Sequence, residues 1–98
     1  MNLEGLDKTL ESKVRLGIMS VLAVNDSVDF VTLKSLLELT DGNLVTHLRH
    51  LETAGYLTVH KQFLGRKPHT AYTATPKGLE AFRHHLEALE AFIRENKR

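Results

Sequence analysis

The stretch TDGNLVTHLRHLETAGYL, residues 40–57, decides the fold because it holds both ends of one amphipathic helix. Thr40 is a residue type that caps the start of a helix, and Gly55 is the type that closes the end. The spacings of four and three between the leucines place one side of the helix in a core: Leu44, Leu48 and Leu51. The other side carries Asn43, Thr46, Arg49 and His50. The stretch therefore predicts a helix over 40–54 and leaves open whether its polar side is ordinary wet surface or a binding surface.

Another helix precedes this one with almost no linker. It runs from about Thr32 to about Leu39, and its apolar stripe is formed by Leu33, Leu36 and Leu37. Two short helices joined by a tight turn form a helix-turn-helix. Further upstream, Ser12 is suited to cap a helix over 13–24, and residues 28–30 alternate as in a short strand. Residues 1–11 are weakly patterned and predict an arm or a short helix.

The residues after Gly55 predict a hairpin followed by a long helix. Residues 56–63 have a strand pattern, residues 64–69 form a turn rich in bases and structure breakers, and residues 70–74 return as the partner strand. Thr75 and Pro76 are typical of a helix start. The apolar residues that follow are spaced three, four, three, four, a heptad pattern typical of a helix that packs against another helix: Leu79, Phe82, Leu86, Leu89 and Ile93.

The predicted order is helix, short strand, helix, helix, two-stranded wing and long C-terminal helix. This order is that of a winged helix-turn-helix, mainly α with a small β-sheet. The chain of 98 residues suffices for one compact domain. Within it we distinguish an N-terminal arm or short helix at 1–11, the winged helix-turn-helix at 12–75 and the C-terminal helix at 76–98.

Composition argues against several classes of function. The chain has no cysteine, so it has no disulfide framework and no thiolate metal site. It has no glycine-rich phosphate loop and no recognisable catalytic triad, so we do not expect an enzyme or a cofactor. Adjacent histidines on a helix diverge by about 100°, so His84 and His85, even with His69, predict no metal site. The start of the chain is not a signal peptide and no apolar run is long enough for a membrane span, which makes a cytoplasmic protein the expectation.

Charge is unevenly distributed along the chain, although the net charge is +1. Residues 1–43 contain four bases and seven acids, a net charge of −3. Residues 44–85 contain six bases and two acids, a net charge of +4, together with all six histidines. A basic half within a neutral chain favours an anionic partner for one face, although chance segregation in a short chain is the alternative.

The chain resembles the small winged-helix transcriptional regulators of the MarR and ArsR type. The resemblance is carried by KVRLGIMSVL at 13–22, LKSLLELTDGNLVTHLRHLETAGYL at 33–57 and GRKPHTAYTATPKG at 65–78. The chain is too short for all the flanking helices of larger MarR proteins and lacks the cysteines common in ArsR metal sensors, which puts effector binding in doubt. The resemblance implies a sequence-specific double-stranded DNA-binding regulator, by default a repressor, that acts as a homodimer.

In such a fold the third helix, 40–54, is the recognition helix and enters the major groove. Asparagine can pair two ways with adenine, and arginine with guanine. Asp41 is unfavourable near phosphate, so we expect it to cap the helix or to pair with a basic side chain. His47 lies close to the leucine stripe, and either packing or DNA contact is open to it. The candidate contacts are Thr40, Gly42, Asn43, Thr46, His47, Arg49 and His50.

The wing, residues 63–70, is expected at the adjacent minor groove or its phosphates. We place Arg66, Lys67 and His69 at the hairpin tip, and Lys61 and Lys77 on the flanking elements. Such phosphate contacts position a domain and carry little sequence information. A solubilising loop tip is the alternative.

A twofold dimer is expected because one winged helix covers one half-site. The alternative is that the long helix folds back on its own domain. The candidate dimer contacts are the heptad residues and two apolar residues on the far side of the first helix: Leu16, Met19, Leu79, Phe82, Leu86, Leu89 and Ile93. Two other functions stay open, a protein-interaction module and a one-component sensor with an unknown small-molecule effector at the dimer interface.

Overall fold

The computed structural model describes residues 3–97. A 3-10 helix at Lys8–Glu11 is followed by four α-helices and three strands in the predicted winged-helix order. The elements are α1 (Lys13–Ala23), β1 (Val28–Asp29), α2 (Phe30–Leu37), α3 (Asp41–Thr53), β2 (Leu57–Leu64), β3 (Lys67–Ala74) and α4 (Pro76–Asn96). The predicted fold, mainly α with a small sheet, is confirmed.

The four α-helices begin at side-chain caps. The hydroxyls of Ser12, Thr40 and Thr75 accept from the backbone N–H three residues later, as the sequence predicts. The cap of α2 differs from the prediction. The carboxylate of Asp29 accepts from the N–H of Thr32 at 2.7 Å, so the helix begins at Phe30, two residues before the predicted start.

The turn between α2 and α3 is tight because Glu38 adopts the left-handed conformation, with φ of 53° and ψ of 50°. The N–H of Leu39 donates to the carbonyl of Lys34 at 3.1 Å and closes α2. An ion pair of 2.7 Å between Lys34 and Asp41 joins the two helices. Asp41 therefore pairs with a basic side chain, as expected.

The sheet is antiparallel with the strand order β1-β3-β2. The predicted turn at 64–69 is wrong in length, because the strands pair as far as Leu64 and Lys67 and leave a two-residue turn, Gly65–Arg66. Gly65 has φ of +66°, a conformation that glycine adopts without strain and that a two-residue hairpin requires. Pro68 lies within β3 at a position where β2 is its paired neighbour.

The core is centred on α1, which packs against α2, α3, α4 and β3. Leu44, Leu48 and Leu51 are buried, as the spacing predicts. Met19 is 0% exposed, so its assignment to the dimer interface is wrong. Neighbours on several sides of α1 leave it no free apolar face. Leu16 and Phe82, also predicted dimer contacts, are partly buried and pack against the same core.

The N-terminal segment, residues 3–11, packs against the domain. Leu10 is buried in the core, and a Cβ added at Gly5 would lie only 3.1 Å from the Cβ of Ala88 on α4. The backbone N–H of Asp7 donates to Nδ1 of His85, also on α4, at 2.9 Å. Helix α4 thus uses one of its sides to hold its own domain and the start of the chain.

Candidate nucleic-acid interface

The outer side of α3 is a continuous polar surface. Its exposed residues recur at spacings of three and four, and we name them together the α3 polar face: Gly42, Asn43, Thr46, Arg49, His50 and Thr53. Thr53 was missed by the sequence interpretation, although its spacing from Thr46 and His50 places it on this side. The leucines of the helix lie on the opposite side in the core, so the α3 polar face has no packing role.

Two hydroxyls near the start of α3 already have partners within the helix. Thr40 accepts from the N–H of Asn43 at 3.2 Å, and the hydroxyl of Thr46 donates to the carbonyl of Gly42 at 2.9 Å. The Thr46 oxygen keeps its capacity to accept a further hydrogen bond. At Gly42 no atom beyond the neighbouring residues and the backbone of its own helix lies within 4 Å of the position that a Cβ would occupy, so the backbone there is open to close approach.

His47 is turned toward α1 and away from the α3 polar face. Its Nδ1 lies 3.0 Å from a guanidinium nitrogen of Arg15, whose Nε donates to the carbonyl of Thr9 at 2.7 Å. Burial, followed by the positive charges of Arg15 and His50, lowers the pKa of His47 below its ordinary value of 6.5. Neutral His47 therefore serves as an acceptor for Arg15, which corresponds to the packing alternative.

A groove of about 270 Å³ separates α3 from the hairpin. Arg49 lines it from the helix and Lys61 from β2, so the two walls each contribute a cation. Glu52 also lines the groove, and its charge adds to the effect of burial in raising the pKa of Tyr72. The groove is thus a mixed surface, with a cation on each wall and one carboxylate on the helix wall.

The wing projects as an acid-free hairpin. Arg66 is in its two-residue turn and Lys67 follows directly, and both are exposed. No Asp or Glu occurs between Glu52 and Glu80. His69 is not at the tip as predicted, because the turn is shorter than expected. His69 pairs with Gln62, the third pair from the turn, and its Nε2 lies 3.4 Å from the carboxylate of Asp29, where β1 adjoins β3.

The carboxylate of Asp29 is held in its charged form by its neighbours. Hydrogen bonds from Thr32 are the main cause of its lowered pKa, and His69 contributes less. Asp29 thus serves α2 as its cap and His69 as its partner. Both roles are structural, so His69 is poorly placed to contact a ligand at the tip of the wing.

Lys77 lies in a different environment from the other candidate cations. Its Nζ is 5.9 Å from the centre of the Tyr56 ring. It lines a hollow together with Glu4, Asp7 and Glu80, whose negative charges oppose its own. The Tyr56 hydroxyl donates to Asp7 at 2.5 Å, and burial together with this partner raises the pKa of Tyr56 to about 12. This hollow is built around the N-terminal segment.

The apolar stripe of α4 is exposed on the described chain, apart from Phe82. Four of its residues are between 38% and 60% exposed, and we name them the α4 stripe: Leu79, Leu86, Leu89 and Ile93. The stripe lies beside the side of α4 that carries His85, which is only 5% exposed. Helix α4 therefore has one side packed within the chain and, next to it, an open apolar stripe.

Residues 3–97 contain neither a metal-binding cluster of side chains nor a helix that could span a membrane. No group of three or more His, Cys, Asp or Glu side chains is close enough to hold a metal ion. None of the helices described there combines the length and the apolar character needed to cross a bilayer.

Comparison with known proteins agrees with this architecture. Residues 14–93 match the family model described as winged helix DNA-binding domain. The uncharacterized protein MJ0432 of Methanocaldococcus jannaschii is 35% identical over 79 residues, which cover 81% of this chain and 86% of that protein.

Solved structures give the same result. The transcriptional regulator homologue of Pyrococcus horikoshii OT3 superposes with a TM-score of 0.84 at 33% identity, over 92% of this chain and 89% of that one. A protein of Porphyromonas gingivalis W83 that is assigned to the MarR family of transcriptional regulators has the same fold. It superposes with a TM-score of 0.68 at 18% identity, over 92% of this chain and 86% of that one. The chain therefore belongs to the winged helix DNA-binding domain family and shares its fold with transcriptional regulators, a MarR-family protein among them.

Proposed function

We propose that the chain is a sequence-specific double-stranded DNA-binding transcriptional regulator that acts as a homodimer. The observation that carries the proposal is the α3 polar face, which is exposed and adjoins an acid-free basic hairpin. A major groove admits one α-helix and presents base-edge donors and acceptors to short polar side chains. The polar face of α3 offers an amide, a hydroxyl, a guanidinium and an imidazole on one side of such a helix.

The elements divide the work in this proposal. Asn43 and Arg49 read base edges, because an amide and a guanidinium can each make paired hydrogen bonds to one base. Arg66 and Lys67 contact the minor groove or the backbone and contribute affinity with little sequence information. Lys61 supplies a further phosphate contact from the groove wall. Glu52 in that groove repels phosphate, so we expect the backbone to pass on the Lys61 side.

The α4 stripe supplies the homodimer contact in the proposal. An isologous dimer doubles the DNA contacts and fixes the half-site separation by geometry. The four large, exposed apolar side chains of the α4 stripe lie on a helix of 21 residues and can form such a contact. The dimer would then occupy a palindromic operator and repress transcription by occluding it.

Selection of bound sites from a random duplex library tests the proposal. A twofold-symmetric motif is expected, with half-sites about 10–10.5 base pairs apart or a multiple of that. Binding to the selected site should weaken steeply with salt, since each phosphate contact releases counterions. Recovery of no motif, or binding that barely changes with salt, would contradict the proposal and favour a protein-interaction module.

A further inference from the structure

The wing carries apolar side chains that neither the core nor the phosphate contacts explain. Phe63 is 71% exposed and Leu64 is 58% exposed, and they directly precede the turn at Gly65–Arg66. An exposed phenylalanine forgoes the stabilisation that its burial would contribute. Because two such residues lie at the end of the hairpin, we infer that at least one of them packs against a binding partner.

The sheet register assigns these two residues to opposite faces. Cross-strand partners share a face, and alternate pairs along a ladder return to the same face. Val59 pairs with Tyr72, Lys61 with Thr70, and Phe63 with Pro68.

The first two of these pairs line the groove beside α3. The Phe63–Pro68 pair therefore continues the α3-facing side of the wing, about 7 Å beyond Lys61. Leu64, paired with Lys67, lies on the other face.

The surroundings of the Phe63–Pro68 pair fit a polyanion. Lys61 precedes the pair by two residues on the same face, and Arg66 lies in the turn beyond it, whereas Lys67 shares the other face with Leu64. The carboxylate of Asp29 lines a hollow with Pro68, but it lies 3.4 Å from Nε2 of His69, which is its partner. Flat apolar groups with a cation before and after them along the strand match the minor groove of DNA, in which charged phosphates border stacked bases. Proteins that bind this groove insert apolar side chains between base steps and bend the duplex.

We propose that Phe63, backed by Pro68, is an apolar wedge that enters the minor groove beside each half-site and partly unstacks one base step. The inference rests on the proposed function and deepens it. It adds a source of specificity outside the recognition helix. Pyrimidine–purine steps such as TA and CA unstack at low cost, so the operator should be enriched in them where the wing lies.

The test compares two adjacent substitutions, Phe63→Ala and the matched control Leu64→Ala. Each protein is bound to a duplex that carries the selected site, labelled at its ends for energy transfer and with 2-aminopurine at the flanking step. Wild type and Leu64→Ala should shorten the end-to-end distance and raise the 2-aminopurine fluorescence. Phe63→Ala should do neither and should bind about tenfold more weakly, within the range for loss of one aromatic–base stacking contact.

Repeating the site selection completes the test. Phe63→Ala should recover the same central motif and the same salt dependence, but no preference for TA or CA at the flank. Equal behaviour of the two variants, or wild-type binding to an undistorted duplex, would overturn the wedge alone. A change in oligomeric state of DNA-free Phe63→Ala would assign the surface to a protein contact and also overturn it. Failure of the wild type to bind any duplex would overturn the proposed function as well.

Discussion

The backbone N–H of Asp7 donates to Nδ1 of His85, and this bond joins residues 78 positions apart. His85 is almost completely buried on α4. Its Nδ1 accepts only when that nitrogen carries no proton. Asp7 also accepts from the N–H of Thr9 and from the hydroxyl of Tyr56, so one residue connects the N-terminal segment to α4 and to the residue before β2.

Replacing His85 should destabilise the fold. In His85→Leu the N–H of Asp7 loses its acceptor while it stays partly buried, which costs about 1–3 kcal/mol. The free energy of unfolding from urea titration measures the loss. The matched control is His84→Leu, the exposed neighbour, which should stay within about 0.5 kcal/mol of wild type. Equal losses in the two variants would show that the Asp7–His85 bond contributes nothing.

The two glycines at helix starts should respond in opposite directions to alanine. A Cβ at Gly78 would lie 2.0 Å from the carbonyl oxygen of Tyr56, a backbone atom that cannot move freely. Gly78→Ala should therefore cost at least about 1–3 kcal/mol. Gly42→Ala has open space and a helical backbone, and should gain up to about 1 kcal/mol. Thermal melts followed by circular dichroism measure both, and a stable Gly78→Ala would contradict the close approach of α4 to Tyr56.

Stability should fall in mild acid through His47. Its folded pKa is lowered, so below the ordinary value of 6.5 the unfolded chain binds a proton that the folded chain does not. The free energy of unfolding therefore decreases as the pH falls through 6.5 and stops decreasing below the folded pKa. His47→Gln keeps an acceptor for Arg15 and does not titrate. Urea titrations between about pH 7.5 and about pH 5.5 should show a weaker pH dependence in the variant, and identical dependence would contradict the assignment.

Mutations should distinguish the side chains proposed to contact bases from those proposed to contact the DNA backbone. Asn43→Ala should relax the preference at one base position, by about 1–3 kcal/mol, and leave binding to random DNA unchanged. The double variant Arg66→Ala with Lys67→Ala should weaken binding to all duplexes and lower the salt slope by about 2. Fluorescence anisotropy with the selected site and with random DNA measures both effects. Equal effects on the two duplexes in both variants would remove this division of roles.

The α4 stripe should determine the oligomeric state. Leu86→Glu places a charge in the proposed dimer contact, where burial of an unpaired carboxylate is unfavourable. We expect monomers by multi-angle light scattering. The matched control is Ala91→Glu, an exposed position on the same helix about 155° from the centre of the stripe by the helical spacing. A dimer that survives Leu86→Glu would place the partner surface elsewhere.

Local patterns predicted most of the fold. The capping residues and the leucine spacing act over three or four residues, so the starts of α1, α3 and α4 and the buried side of α3 could be found from the sequence. The length of the wing could not, because Gly65 and Pro68 both favour a turn and only the β2–β3 pairing shows where the turn lies. The burial of Met19 depends on helices brought together by the whole chain.

At the candidate site, local patterns predicted which residues of α3 are exposed but not which partners the histidines have. The exposure of Asn43, Thr46 and Arg49 follows from helical spacing, and the same spacing extended by one turn would have included Thr53. The partners of His47 and His69 come from α1 and β1, and no local pattern indicates them.

The left-handed backbone of Glu38, in the turn between α2 and α3, is a position where the turn can be changed by a single substitution. Glu38 is not glycine, so its backbone is held there at a cost of roughly 1–2 kcal/mol. Glycine at this one position should relieve that cost and leaves every side chain of the α3 polar face unchanged. The backbone conformation of this single residue sets the turn from α2 into α3, so the turn can be altered without replacing any side chain of the α3 polar face.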